Sequence, residues 1–522
     1  AHTRCRSPRT IHEVQRDKNL WPRGACVARR RGNEVTRVDW RHVGVVGTAA
    51  VVMGISSGAW GFESSNDVLN HKPKFVLSDR YPDDPGTGGG EDPPWGRIEF
   101  DAEKGARDYL FAVLSYVIEG NEDAFDPAAD GNDRPWQVEV DGETRWYHVP
   151  WMHHGDYGRE GIHGLTRERD VRLNEVLPPE TDRPNERFQS WAVSFYNPPG
   201  GYTIGRVWPR EAPVPEPSNA RFEQHTVAVK LLFTAASEAQ IPYLRGAPSW
   251  RANVHKVPAE CGSRPDQRIN CEREVQTVRL IQIDVAVKDD RAEETGWVFG
   301  SFLFNGNRAP GDPGAIAPTN RLVDRESVWN QIEPIGLMSG NDPSALSGAD
   351  LLETVRTEDG ASEFQHLGCL DRLNGPVDNP EASCMACHAL ARFPPPEPDN
   401  FSMTFPACLG DDGTIAPLSA VYFRNLSGDQ VIDDLTSVEL PDGIELPEVT
   451  NLAEIVALDY SLQLSFGMIN FCNFWKDQEH SQRIEDFCRW DTEQVTDDRS
   501  NIGDRTVTLK SALVPEMSRQ SR

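Results

Sequence analysis

The middle of the chain alternates apolar and polar residues with a period of two, which is typical of β-strands with one buried face. The clearest run is residues 275–290 (VQTVRLIQIDVAVKDD), and residues 226–234 (TVAVKLLFT) and 296–307 (GWVFGSFLFNGN) repeat the pattern on either side. In the longest run one face would carry Ile281, Ile283, Val285 and Val287, and the other Gln282, Asp284 and Lys288. Three such strands in series predict an antiparallel sheet.

The third of these strands is rich in aromatic residues on both faces. One face would carry Trp297, Phe299 and Leu303, and the other Val298, Phe302 and Phe304. A strand of this kind suits a buried core, and it also suits the wall of a large apolar cofactor pocket.

Upstream, the pattern predicts one helix and two hairpins. Residues 101–119 carry apolar side chains at helical spacing and are followed by Gly120, which favours a helix. Residues 136–149 read as a hairpin with Asp-Gly at its turn, and residues 190–208 as a second hairpin across PPGG. Downstream, residues 307–380 resemble loops. The apolar run 451–475 begins with helical spacing and continues with alternation, so its type is ambiguous.

These elements predict an α+β protein built on an antiparallel β-sheet core with a few helices. We divide it into a β-rich N-terminal domain (62–208), a proline-rich linker (209–221), a second domain (222–392), and a C-terminal extension (393–522) that packs on that domain and ends in a disordered tail.

The first 61 residues have the features of an export signal. Residues 1–34 are arginine-rich and precede the first methionine, so we interpret them as an upstream extension. Residues 35–61 combine basic Arg37 and Arg41, an uncharged apolar stretch, and small residues at Ala59 and Gly61, as in a cleaved signal peptide. We therefore expect a periplasmic or secreted bacterial protein without a stable membrane span after cleavage. A retained N-terminal membrane anchor is the alternative.

Charge and missing motifs exclude several classes of protein. The formal net charge of -28 disfavours binding to nucleic acid, whose phosphates are also negative. The sequence contains no glycine-rich phosphate loop, GxSxG elbow or HExxH motif.

The pentad Cys384-Met-Ala-Cys387-His388 is the attachment sequence of a c-type haem. On a helix its two thiols and its imidazole project to one side, so they could bind the two vinyl groups and the iron of one covalent haem c. We expect a helix with Asn379 as N-cap that ends near Arg392. The alternatives are a reduced redox pair, half of a zinc site, or coincidence.

The other cysteines suggest disulfides. After removal of a signal peptide, six cysteines remain outside the pentad and allow fifteen pairings. Proximity in sequence favours Cys261 with Cys271, Cys369 with Cys408, and Cys472 with Cys488. His153, His154 and His163 form a histidine-rich stretch with three interpretations: metal ligands, residues that approach the haem, or a loop of surface histidines.

Four segments together resemble the cytochrome P-four-sixty family and the related beta-type cytochromes c-prime: VAVKLLF, VAVKD, GWVFGSF and the downstream CMACH. The resemblance covers residues 222–392. It implies an antiparallel sheet carrying one c-type haem, thioether bonds to Cys384 and Cys387, and His388 as the proximal ligand. Some members oxidise hydroxylamine with a haem cross-linked to a lysine, and others bind nitric oxide. That role would fall on Lys230 or Lys288, unless both are ordinary surface lysines.

The resulting hypothesis is an exported mono-haem c-type cytochrome that transfers electrons to a partner protein or performs redox chemistry on a small nitrogen or oxygen species. A sixth iron ligand from Met338, Met403 or Met468 would make an electron carrier. An open position would allow a haem oxidoreductase. The alternatives are a gas-binding or gas-sensing module without turnover, and a secreted partner-binding protein with an auxiliary haem.

Overall fold

The structure is a computed structural model. In it the chain forms two units, residues 1–58 and residues 59–522. All described residues belong to the second unit: 74–86, 92–125, 135–140, 142–152, 165–177, 185–255, 273–308, 327–357, 367–395, 408, 419–431, 455–476 and 478–489. The predictions for the signal peptide, the C-terminal tail, Cys261 with Cys271, Met403 and the three histidines 153, 154 and 163 lie outside these ranges.

A large antiparallel sheet forms the centre of the described residues, and this confirms the predicted α+β class. The strands are β1 Glu139–Val140, β2 Glu143–Thr144, β3 Thr166–Arg172, β4 Arg187–Tyr196, β5 Val227–Thr234, β6 Ser249–His255, β7 Arg273–Lys288, β8 Trp297–Phe304, β9 Ile332–Met338, β10 Thr354–Arg356, β11 Arg392–Phe393 and β12 Val456–Ala457. The large sheet has the order β10-β9-β8-β7-β5-β4-β3, and β6 pairs with the first half of the long β7.

Few helices accompany the sheet in the described part of the chain. They are α1 Glu103–Ile118, α2 Leu173–Val176, α3 Pro198–Val207, α4 Cys384–His388, α5 Ser419–Tyr422, α6 Leu462–Trp475 and α7 Gln482–Cys488. The helix predicted at 101–119 is α1, and the ambiguous apolar run contains α6. Among these helices, none combines the length and the apolar character needed to cross a bilayer.

The two faces of the sheet bury two different apolar clusters. The first contains α1 with Ile283, Val285 and Phe302, and the second contains the segment around α4 with Trp297 and Phe299. The side-chain alternation predicted for β7 and β8 is therefore confirmed. Its consequence is that Lys230, Asp284 and Lys288 all lie on the face that α4 covers, because Lys230 pairs with Asp284 and Lys288 with Trp297.

Two sequence-based assignments are wrong. Residues 198–207 form α3 rather than the second strand of a hairpin, because Pro198 and Pro199 fit the first helical turn, where no N–H is needed. Gly201 then packs against Tyr147, and a Cβ atom at Gly201 would approach its ring to 2.6 Å. The supposed loop 307–380 contains β9 and β10, which extend the sheet beyond β8.

The boundary predicted at 209–221 lies within one sheet. Strand β4 precedes this segment and β5 follows it, yet the two pair in register from Ser190 opposite Thr234 to Tyr196 opposite Ala228. The prolines connect neighbouring strands, so the described residues of 62–208 share a sheet with those of 222–392.

Candidate functional site

The CMACH segment forms a short helix on the second face of the sheet. Its N-cap is Ser383, whose Oγ accepts a hydrogen bond from the Ala386 N–H at 3.0 Å and donates one to Asn341 Oδ1 at 2.9 Å. The prediction of a helix capped by Asn379 and running to Arg392 is wrong. Asn379 belongs to a turn before the helix, and Arg392 enters β11, which pairs with β12. Strand pairing and the Ser383 cap therefore limit the helix to the pentad itself.

The cysteines divide into disulfides and thiols. Cys369–Cys408 and Cys472–Cys488 are disulfide-bonded, which confirms two of the predicted pairings. Cys384 and Cys387 are thiols and are partly accessible. Burial raises the pKa of both, that of Cys387 to about 11, so both are neutral near pH 7. Cys387 Sγ lies 3.1 Å from the Tyr422 hydroxyl oxygen.

His388 is held in a defined orientation. Its Nδ1 lies 2.9 Å from the carbonyl oxygen of Tyr460, and a carbonyl only accepts, so Nδ1 carries the proton and Nε2 keeps its lone pair. Burial lowers the pKa of His388 to about 4, which keeps the ring neutral at physiological pH. The Phe299 ring packs against it with a centroid distance of 5.1 Å. A backbone carbonyl on one nitrogen and a lone pair on the other is the arrangement of metal-binding histidines.

The carbonyl that accepts this bond belongs to a constrained loop. Asp459 and Tyr460 are consecutive non-glycine residues with positive φ, 44° and 65°. Such a conformation costs free energy and persists where surrounding contacts stabilise it. Here the Tyr460 hydroxyl donates to the carbonyl of Leu426 at 2.6 Å, and the Asp459 side chain is almost fully buried.

Asp459 accepts hydrogen bonds from three elements. Lys288 Nζ lies 2.9 Å from Oδ1, the Trp297 indole N–H donates to Oδ1 at 2.7 Å, and the Phe222 backbone N–H donates to Oδ2 at 2.8 Å. Lys288 is thus engaged in holding the loop that orients His388.

Lys230 occupies a different position. Its Nζ lies 3.0 Å from Glu168 Oε2, and its positive charge contributes to lowering the pKa of His388, Cys384 and Cys387. Of the two lysines that the sequence singled out, Lys230 is the one that acts electrostatically on Cys384, Cys387 and His388.

The sheet opposite the pentad carries small side chains. Ala228 on β5 and Ala286 on β7 are direct neighbours in register, and Phe299 is the next residue across. Both alanines are partly accessible although their strands are central in the sheet. Two thiols and a neutral imidazole with an available Nε2 are the donor set that a covalently attached haem needs.

Two of the three candidate sixth ligands lie in the described part of the chain. Met338 and Met468 are both fully buried in the apolar cluster on this face, and Met338 pairs in register with Phe299. No described group of three or more His, Cys, Asp or Glu side chains is arranged to hold a metal ion.

Sequence reasoning missed several residues of this site. Tyr460 had no signal in the sequence, because it contributes only a backbone carbonyl. Asp459 had none either, because its partners are distant in sequence. Asp284 had one, since it was placed on the polar face of a strand that is central in the sheet, where a carboxylate needs a partner.

Comparisons with known proteins returned no match. No protein-family model fits the chain, and searches of curated proteins and of solved structures found no significant similarity.

Proposed function

We propose that this protein is an exported mono-haem c-type cytochrome that performs redox chemistry on a small nitrogen or oxygen species. Cys384 and Cys387 would form the thioether bonds, and His388 would be the axial iron ligand. The observation that carries the proposal is the bond from His388 Nδ1 to the Tyr460 carbonyl, which leaves Nε2 for a metal and raises the basicity of the ring.

The pattern of cysteine oxidation supports this assignment. Two disulfides support the proposed export, because disulfides persist in oxidising compartments. Cys384 and Cys387 are thiols one helical turn apart in the same chain. Haem attachment in an exported protein would consume both of these thiols, since each S–H adds across one vinyl group.

Polar groups on the sheet face that α4 covers support redox chemistry on a substrate. Bound haem would supply one-electron chemistry and, on the side away from His388, a coordination position. Lys230, Asp284 and the two alanines are partly accessible on this face. Polar groups there could orient a small reactant and move its protons. A gas-binding module without turnover would use the same open position and is the second candidate.

The family resemblance implies a lysine cross-linked to the haem, and Lys230 is the better candidate of the two lysines. Its charge acts on the pentad, and its ion pair with Glu168 is partly accessible. Lys288 instead donates to Asp459, which orients the loop behind His388.

Expression with the bacterial c-type maturation machinery tests the proposal. A haem stain after denaturing electrophoresis should be positive for the wild type and for Met385→Leu, a control within the pentad that keeps both thiols. It should be lost in the Cys384→Ala, Cys387→Ala double variant. A negative wild type would overturn the proposal.

Absorption spectra with and without carbon monoxide then test the sixth position. We expect the reduced protein to bind carbon monoxide. A six-coordinate spectrum that does not respond would exclude both substrate chemistry and gas binding, and would indicate an electron carrier. Lys230→Ala and Lys288→Ala compare the two lysines, since only loss of the cross-linking one should abolish an unusual far-red Soret band.

A further inference from the structure

Two carboxylates, Asp284 on β7 and Asp378 on the segment before α4, share one hydrogen-bond donor. Gln282 Nε2 lies 2.8 Å from Asp284 Oδ1, 2.7 Å from Asp284 Oδ2 and 2.6 Å from Asp378 Oδ2. The backbone N–H of Val377 donates to Gln282 Oε1 at 2.9 Å, which fixes the orientation of the amide. Because both carboxylates contact the same nitrogen, oxygens of the two groups lie within about 5.4 Å of each other, the sum of 2.8 and 2.6 Å.

The local charges do not balance. Asp284, Asp378 and Glu168 surround one cation, Lys230, and Glu168 already forms an ion pair with its Nζ at 3.0 Å. The Arg169 guanidinium lies nearby, but it donates to the backbone carbonyl of Asp378 and pairs with Glu175. Ser301 Oγ donates to Asp284 at 2.7 Å without adding charge. Two like charges this close in a poorly solvated site favour one shared proton.

The pair is electrostatically connected to the pentad. Asp378 and Lys230 both influence the pKa of His388, and Asp284 and Asp378 both raise that of the Cys384 thiol. Each carboxylate is also partly accessible, so protons can exchange with solvent. A change of charge at the iron would therefore change the proton affinity of the pair, and the coupling must be reciprocal.

We propose that Asp284 and Asp378 together form a proton-binding site that exchanges one proton with solvent when the haem iron changes its oxidation state. This rests on the proposed function. On reduction, an external one-electron donor converts Fe(III) to Fe(II), and one solvent proton forms an O–H bond on the pair. On oxidation that O–H bond breaks, and the electron and the proton both leave. The pair thereby supplies protons in step with electrons, which oxidation or reduction of a small nitrogen or oxygen species requires.

Burial and the neighbouring Asp378 raise the pKa of Asp284 to about 7, which places this exchange in the physiological range. The test is the midpoint potential of the haem-loaded protein, measured by mediator titration between about pH 5 and pH 9. We expect the potential to fall by up to about 59 mV for each tenfold decrease in proton concentration around neutral pH. Asp284→Asn and Asp378→Asn should each flatten this dependence. Glu353→Gln, which removes another half-buried carboxylate with a raised pKa, should leave it unchanged.

A second measurement covers the case in which Asp284→Asn fails to fold. Reduced-minus-oxidised infrared spectra of the wild type should contain the signal of a newly protonated carboxyl group, and Asp378→Asn should weaken it. A positive haem stain combined with a pH-independent wild-type potential, or with no carboxyl signal, would overturn this inference alone. A negative haem stain would instead overturn the proposed function.

Discussion

Asp459→Asn tests whether the loop behind His388 orients the imidazole. The substitution keeps the shape of the side chain but removes its charge, and it places an NH₂ group where Oδ2 or Oδ1 now accepts. If the NH₂ replaces Oδ2, it faces the Phe222 N–H, which lies 2.8 Å from that oxygen. If it replaces Oδ1, it faces the Trp297 indole N–H and Lys288. Either orientation sets donor against donor.

The magnitude follows from burial. The side chains of Asp459 and Lys288 are 2% and 15% exposed, so the pair is largely shielded from water. Removing one partner of a buried ion pair costs about 3 to 5 kcal/mol, because the other charge is left uncompensated. We take about 3 kcal/mol, since the amide keeps one acceptor. At roughly 2 °C per kcal/mol for a large chain, the melting temperature should fall by about 6 °C.

Two assays separate folding from positioning. Thermal unfolding followed by circular dichroism gives the stability change, and ¹⁵N NMR of the haem-free protein reports which nitrogen of His388 carries the proton. We expect the wild type to be protonated at Nδ1 and Asp459→Asn to show a mixture of tautomers. Asp486→Asn is the matched control: its ion pair with Arg489 is about half exposed, so its loss should cost less than about 1 kcal/mol. A destabilised Asp459→Asn with an unchanged His388 tautomer would refute the positioning role, and an unchanged melting temperature would refute the energetic argument.

Three further predictions address stability. The pKa of Asp284 is raised from 3.8 to about 7 in the folded protein, so its contribution to stability is present below about pH 4 and is lost as the pH rises to about 7. Asp284→Asn should therefore reduce the change in the free energy of unfolding between these two pH values, measured by urea denaturation, by no more than about 4 kcal/mol. Gly375→Ala should lower the free energy of unfolding by about 2 kcal/mol in chemical denaturation, because its Cβ would lie within 1.8 Å of the buried Gln282 amide. An unchanged stability would show that the Gln282 side chain, which contacts both Asp284 and Asp378, can move aside. Replacing both Cys472 and Cys488 by alanine opens a short loop and should lower the melting temperature by an amount equivalent to about 3 kcal/mol, whereas equal stability would contradict a structural role for this disulfide.

Local patterns were sufficient for the central strands β5, β7 and β8. The alternation in β7 and β8 predicted which side chains share a face, because side-chain direction in a strand depends only on position along it. The same reasoning failed for residues 198–207. There the choice between strand and helix depended on close packing of Gly201 against Tyr147, which lies more than fifty residues earlier. The same reasoning also failed for β9, which is a strand because it pairs with β8.

The sequence by itself determined the donor set of the candidate site, since Cys384, Cys387 and His388 are close in sequence and share one short helix. Tertiary structure decided how that set is oriented and what surrounds it. The carbonyl that orients His388 belongs to Tyr460, 72 residues away, and the loop that presents it depends on Lys288 and Trp297 from the sheet. Lys230 and Lys288 have similar local sequences, VAVK in both cases, yet one pairs with Glu168 and the other with Asp459. Roles of this kind depend on contacts between distant segments, and no local spacing encodes them.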